Sequence, residues 1–173
     1  MKALLSTFAT YNQAANAALA TILAGQDETL LREDQGSFYK SVIGTFEHVV
    51  GAEVSWLKRY PTFFAGTVLE GKALVAADIE ATKARMSSSV KDLLTVAKEA
   101  DELLVAFIDG VTEQQLGARV KYKTYRGDEL ERTFGHLLMH ILNHGTHHRG
   151  EISALLDRKG IKNDYSGFSN YQS

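Results

Sequence analysis

The stretch FGHLLMHILNHGTHHRGEISALLDRKG, residues 134–160, decides the fold. Its apolar residues recur at three- and four-residue steps, the period of an amphipathic helix. On a wheel of about 100° per residue, Phe134, Leu137, Leu138, Ile141, Gly145, Ile152, Leu155 and Leu156 lie within roughly 60° of one line, the buried face. Thr133 stands where a cap is needed, and Gly160 follows the last turn as a stop. The chain has six histidines, and five of them fall between His136 and His148. His148 lies inside the buried face at about −40°, and His144 lies at its edge near −80°. His140, His147 and His136 lie progressively nearer solvent, at about −120°, −140° and −160°.

His144 and His148 are four residues apart, so one imidazole stacks a turn above the other and both can converge on one ion. Gly145, between them on the buried side, is expected to leave space beside the pair. His140 with His144 is the second possible pairing. The ladder of positions 136, 140, 144 and 148 drifts by about 40° per step, so the four cannot share one ion. Two imidazoles buried together cost stability unless they are hydrogen-bonded, and a shared metal meets that need. A catalytic zinc-like ion usually takes three protein ligands. With no cysteine in the chain, the third must be a carboxylate or a histidine from another helix. His48 is the remaining histidine. It is read on the side of its helix away from the Phe46 stripe, beside Gly44, Gly51, Ala52 and Ser55. Those small residues mark either a pocket or plain surface, and spacing alone leaves the two open.

Three more helices are expected. The first, over 2–24, carries Leu4, Leu5, Phe8, Tyr11, Ala15, Leu19 and Leu23 in one stripe, and Gly25 ends it. The second, over 38–60, turns Phe38, Val42, Phe46, Val49, Trp56 and Tyr60 inward and stops at Pro61, the one proline in the chain. The third, over 78–109, has Asp78 as its cap and Gly110 as its end. Segment 61–76 is irregular and apolar, with room for a short helical turn. The period changes at 120–133, where β-branched and aromatic residues flank an Arg-Gly-Asp centre. A hairpin of 120–125 with 129–133 is expected there. The tail, 161–173, is expected to pack over the bundle end. The fold class is all-α, a four-helix bundle with a small β-hairpin before the last helix, and 1–173 reads as one domain.

Composition narrows the function. Net charge is −2, with no Lys/Arg cluster fit to neutralise several phosphates, so nucleic acid is not an expected partner. Asn12, Gln13 and Asn16 interrupt the N-terminal apolar residues, so neither a signal peptide nor a membrane span is expected, and the location expected is cytoplasmic.

The stretch 136–160 resembles the C-terminal helix signature of the DinB-like family, the DinB/YfiT-like metalloenzymes. The match is Asn143-His144, three residues, His148-Arg149-Gly150, then an acid or amide. GTFEHVVGAEVSWLKRY (44–60) resembles the family's second helix and TYNQAANAAL (10–19) its first, so the likeness spans nearly the whole chain. It implies an up-down-down-up bundle, commonly a homodimer, with a divalent ion on three histidines. These carry over to His48, His144 and His148. Zinc or nickel suits imidazole ligands. Glu151 stands where glutamine is more usual. It is read as a solvated residue in preference to an acceptor orienting an imidazole, and it is the one general-base candidate. Tyr11, Asn12, Trp56 and Tyr122 are pocket candidates, with structural roles favoured for each. The family implies activation of a low-molecular-weight thiol or a water, in S-transfer, isomerisation or hydrolysis. The alternative is a non-catalytic, dimeric metal- or stress-ligand-binding protein.

Overall fold

The computed structural model describes residues 1–165 and 167–171. Four long helices form the bundle: α1 (Lys2–Ala24), α3 (Val42–Arg59), α6 (Val90–Gly110) and α8 (Phe134–Arg158). Short helices α2 (Glu28–Arg32), α4 (Ala73–Ala76), α5 (Ile79–Ser88) and α7 (Glu113–Gly117) lie between them. Strands β1 (Arg119–Lys123) and β2 (Glu129–Thr133) pair antiparallel, with Tyr122 opposite Leu130.

Side-chain contacts give the helix directions. Ser6 bonds Asp109 and Asn16 bonds Asp101, so α1 and α6 are antiparallel. His48 meets His144 while Trp56 meets His140, so α3 and α8 are antiparallel. Arg149 reaches Asn16, and a Cβ on Gly135 would meet Met1, so α1 and α8 run together. The order α1, α3, α6, α8 is therefore up, down, down, up. The apolar stripes meet in one core, from Leu5 and Leu19 through Phe46 and Leu93 to Leu138 and Leu156.

Several boundaries differ from those the sequence predicts. The second long helix begins at Val42, because Ser41 caps it by accepting the Gly44 N–H at 3.0 Å. Phe38, expected in the core, precedes that cap and is 88% exposed, and Leu4 is exposed as well. The helix expected over 78–109 is two helices. Asp78 caps α5, but the serine run 87–89 ends it, and Ser89, extended at φ −162°, caps α6 through the Asp92 N–H. Short hydroxyl side chains compete for backbone bonds in this way. Thr133 occupies the cap position of α8 without a side-chain cap bond. Helix α7 was not anticipated; a reciprocal Thr112–Gln115 capping box starts it. In the tail, Tyr165 is buried against α8 and Phe168 lies edge-on to Tyr11 at 5.0 Å, whereas 166, 172 and 173 lie outside the described residues.

Candidate metal centre

The wheel for α8 matches its burial. Every residue assigned to the apolar face is buried, His148 is buried, His144 is half-buried, and His136, His140 and His147 are exposed. Leu142 and Arg149 are buried too.

His48, from α3, meets the α8 pair across the antiparallel seam. Its Nε2 lies 2.9 Å from His144 Nε2. The three rings of His48, His144 and His148 have centroids 4.4–4.8 Å apart. One nitrogen from each lies within 4.8 Å of the others, so the trio can hold one ion. The small residues beside His48 border a groove of 490 Å³, lined by Gly44, Gly51, Ala52 and Ser55 with Met86 and Lys83 opposite. The groove is shallow and open to solvent, so the small residues form a surface recess beside the trio. A larger groove of 890 Å³ lies between α1 and α6. It holds none of the histidines, and both carboxylates on its wall are already taken, Asp101 by asparagines and Glu28 by Arg32.

Burial favours the neutral form of two of the three rings, His144 and His48. Burial, reinforced by His148 and His48, pushes the His144 imidazole down to about 4. Burial also lowers His48, with His148 adding to the effect and Glu151 opposing it. Neutral imidazoles have lone pairs to donate. Glu151, read as solvated, accepts from His148 Nδ1 at 2.6 Å and lies 3.3 Å from His147 Nε2, while keeping 45% of its side chain exposed. Burial opposes its ionisation, yet the His148 hydrogen bond holds it below the usual carboxylate range. With Nδ1 engaged, His148 is left with Nε2 for an ion. A carboxylate behind a ligand histidine fixes the tautomer and raises its basicity.

A fourth group was not anticipated. Tyr39 stacks on His48 with centroids 4.0 Å apart, and its hydroxyl lies 2.9 Å from His48 Nε2. Burial raises its pKa, with Glu151 adding to the rise, so it stays a phenol at neutral pH. The loop that carries it is fixed by backbone geometry. Lys40 adopts φ +71°, unusual for a residue with a Cβ. The Tyr39 carbonyl accepts the Ser41 N–H at 2.8 Å and lies so close to Gly44 that a Cβ there would clash with it. Because Ser41 starts the helix only at Val42, the helical period expected over 38–60 gives no sign of Tyr39's place.

Tyr11 and Asn12 lie beneath the trio in a buried polar network. Arg149, 1% exposed, donates to Asn12 Oδ1 and, at 3.0 Å, to Asn16 Oδ1. The same two asparagines donate to Asp101 at 3.0 Å through their amide nitrogens. An amide can bridge a guanidinium and a carboxylate because it carries both an acceptor and donors. The guanidinium also stands 5.3 Å from the Tyr11 ring. Glu53 is buried nearby. Burial raises Glu53 far above its usual range, with Asp101 adding to the rise, and burial carries Asp101 up to about 7 against Asn16 and Arg149. The expected space at Gly145 is filled by this network: a Cβ there would sit 2.7 Å from Asn12 Oδ1. Trp56 and Tyr122 are half-buried further along the seam, 5.4 Å apart by centroid. Among the described residues no helix is long and apolar enough to cross a membrane.

The chain is similar to Protein DinB of Bacillus subtilis (strain 168), at 25% identity over 150 residues, 87% of this chain and 83% of that protein. No solved structure matches it. A family model described as DinB family matches residues 1–167. With a match over nearly its whole length, the chain belongs to the DinB family.

Proposed function

We propose that this protein is a divalent-metal-dependent enzyme whose ion is held by His48, His144 and His148 and whose substrate is a low-molecular-weight thiol or a water-labile compound. The observation that carries this reading is an excess of facing groups. His48 Nε2 has both His144 Nε2 and the Tyr39 hydroxyl at 2.9 Å, yet one ring nitrogen makes one hydrogen bond. A cation at the centre accepts all three nitrogens at once, and zinc or nickel suits such donors.

When bound, such an ion lowers the pKa of a coordinated thiol or water and so supplies a nucleophile at neutral pH. The chain's own groups do the rest. Glu151 holds the His148 ring through Nδ1. Tyr39 presents its hydroxyl beside His48 Nε2, where it would be a donor to an incoming sulfur or oxygen. The groove beside His48 gives small molecules a route in.

Elemental analysis of purified protein is the test. His48→Ala, His144→Ala and His148→Ala are each expected to lose the metal, and His136→Ala and His147→Ala to keep it. Full occupancy in His148→Ala overturns the assignment. A non-catalytic binder is the second reading, and Tyr39 favours it, because its hydroxyl oxygen, 2.9 Å from His48 Nε2, would compete with a substrate for the same space. Cobalt(II)-loaded protein separates the two. A spectrum that responds to added thiol supports the enzyme, and one indifferent to thiol but altered by Tyr39→Phe supports the binder.

A further inference from the structure

Arg59 is unlike the other arginines of the chain. Arg32, Arg85, Arg119, Arg126, Arg132, Arg149 and Arg158 each donate to, or pair with, a protein oxygen. Among the described residues Arg59 has no such acceptor, although it is half-buried. Its guanidinium carbon is instead seated 4.7 Å from the Trp56 ring centroid and 5.2 Å from that of Tyr122. The two rings stand at 62° to each other, so the guanidinium is seated in the corner between them while its N–H donors stay unclaimed. A guanidinium held in that way is pre-organised for a bidentate carboxylate.

The position lies on the same seam as the histidine trio. The His140 ring bridges the two, 6.3 Å from His144 and 6.1 Å from Trp56. Arg59 is about 16 Å beyond His48 along α3 at 1.5 Å per residue, and less where the side chain leans back over Trp56. Three extended residues span about 10 Å. A ligand reaching from the trio to Arg59 is therefore the length of a small peptide, and a two-carbon thiol is too short to touch both.

We propose that Arg59, backed by Trp56 and Tyr122, is the anion-binding end of the substrate site and seats the carboxylate of an extended, peptide-sized thiol. This rests on the reading that the trio binds a metal which receives the thiol, and it names the substrate class for that site.

Trp56 is the sole tryptophan in the chain, so its emission reports directly on this ledge. Glutathione, glutathione diethyl ester and 2-mercaptoethanol would be titrated into metal-free and cobalt(II)-loaded protein, with circular dichroism melts confirming that each variant is folded. The wild type is expected to show a saturable change in Trp56 emission with glutathione, weakened about tenfold or more by esterification and by Arg59→Gln, and less by Arg59→Lys. The cobalt spectrum's response to 2-mercaptoethanol is expected to be the same in wild type and Arg59→Gln. Equal glutathione affinity in both proteins, equal affinity for acid and ester, or no saturable response in wild type would each overturn the proposal. Failure of the underlying reading looks different: acid-selective, Arg59-dependent binding persists in metal-free protein while no thiol perturbs the cobalt spectrum.

Discussion

Replacing Arg149 by methionine removes a cation buried against two carboxylates while roughly keeping its volume, so the cost is electrostatic and not a cavity. Three donated hydrogen bonds disappear, to Asn12, Asn16 and Thr146. Thr146 is exposed and can turn to water, but the two amide oxygens are left buried and unpaired, at about 1 kcal/mol each where each amide keeps its bond to Asp101. Breaking a buried charged pair from one side costs about 3–5 kcal/mol, and that is the loss expected at pH 8. The loss depends on pH with a definite sign. Asp101 in the folded protein sits near 7, above its unfolded value of 3.8, so the folded state holds the extra proton between those values. Its stabilising contribution is complete below the unfolded value and is lost as pH rises through the folded one. Removing Arg149 takes away a group that lowers this pKa, so the penalty is full at pH 8 and shrinks toward the amide cost at pH 5. Urea denaturation of metal-free wild type and Arg149→Met at both pH values measures it. His144 also titrates in this range, but equally in both proteins, so the difference between them cancels it. A difference below about 1 kcal/mol at both pH values, or one larger at pH 5, would refute the charge account.

Two further outcomes are expected. Gly44→Ala should push the Tyr39 carbonyl off α3 and carry the hydroxyl away from His48; quenching of Tyr39 nuclear magnetic resonance contacts to the His48 ring would show it, and an unchanged contact would contradict the packing argument. Glu151→Gln should weaken metal binding by about 10–100-fold, because an amide is a poorer acceptor behind His148; competition with a chromophoric chelator measures this, and unchanged affinity would return Glu151 to the solvated role.

The bundle was legible because its signals are periodic. The α8 stripe alone separates His144 and His148 from three exposed neighbours, and burial follows the wheel. His48 could not be placed by period, since its face carries small residues that suit a groove or a surface equally. What the sequence hid has two causes. One is local chemistry that competes with the stripe: Ser41 and Ser89 reset helix boundaries, exposing Phe38 and freeing Tyr39 to lie over the trio. The other is charge. Arg149, Asp101 and Glu53 sit at positions the helical period allows to be buried, but an ionised side chain is expected in water unless a partner on another helix is known. Here the partners are Asn12 and Asn16 on α1, about 130 residues from Arg149.

That network bears on why the histidines line up. Consecutive residues His148 and Arg149 point about 100° apart, one to the seam and one to the core. If α8 slid or rotated by one residue, Arg149 would leave its asparagines and remain buried unpaired. The network therefore penalises wrong registers of α8 against α1 and α6, and so fixes where His144 and His148 stand opposite His48. Apolar replacements of buried charges often match or exceed the stability of the originals, so stability alone does not test this. The double variant Arg149→Met with Asp101→Asn does. Removing a carboxylate along with the guanidinium should recover much of the stability at pH 8, yet the register would no longer be specified by charge. Metal affinity is then expected to fall by about tenfold or more, the scale seen when groups that orient ligands are removed. Chelator competition beside a urea melt measures both quantities in one preparation. Stability and metal affinity returning together would show that the network only fills space, and that the seam itself aligns the trio.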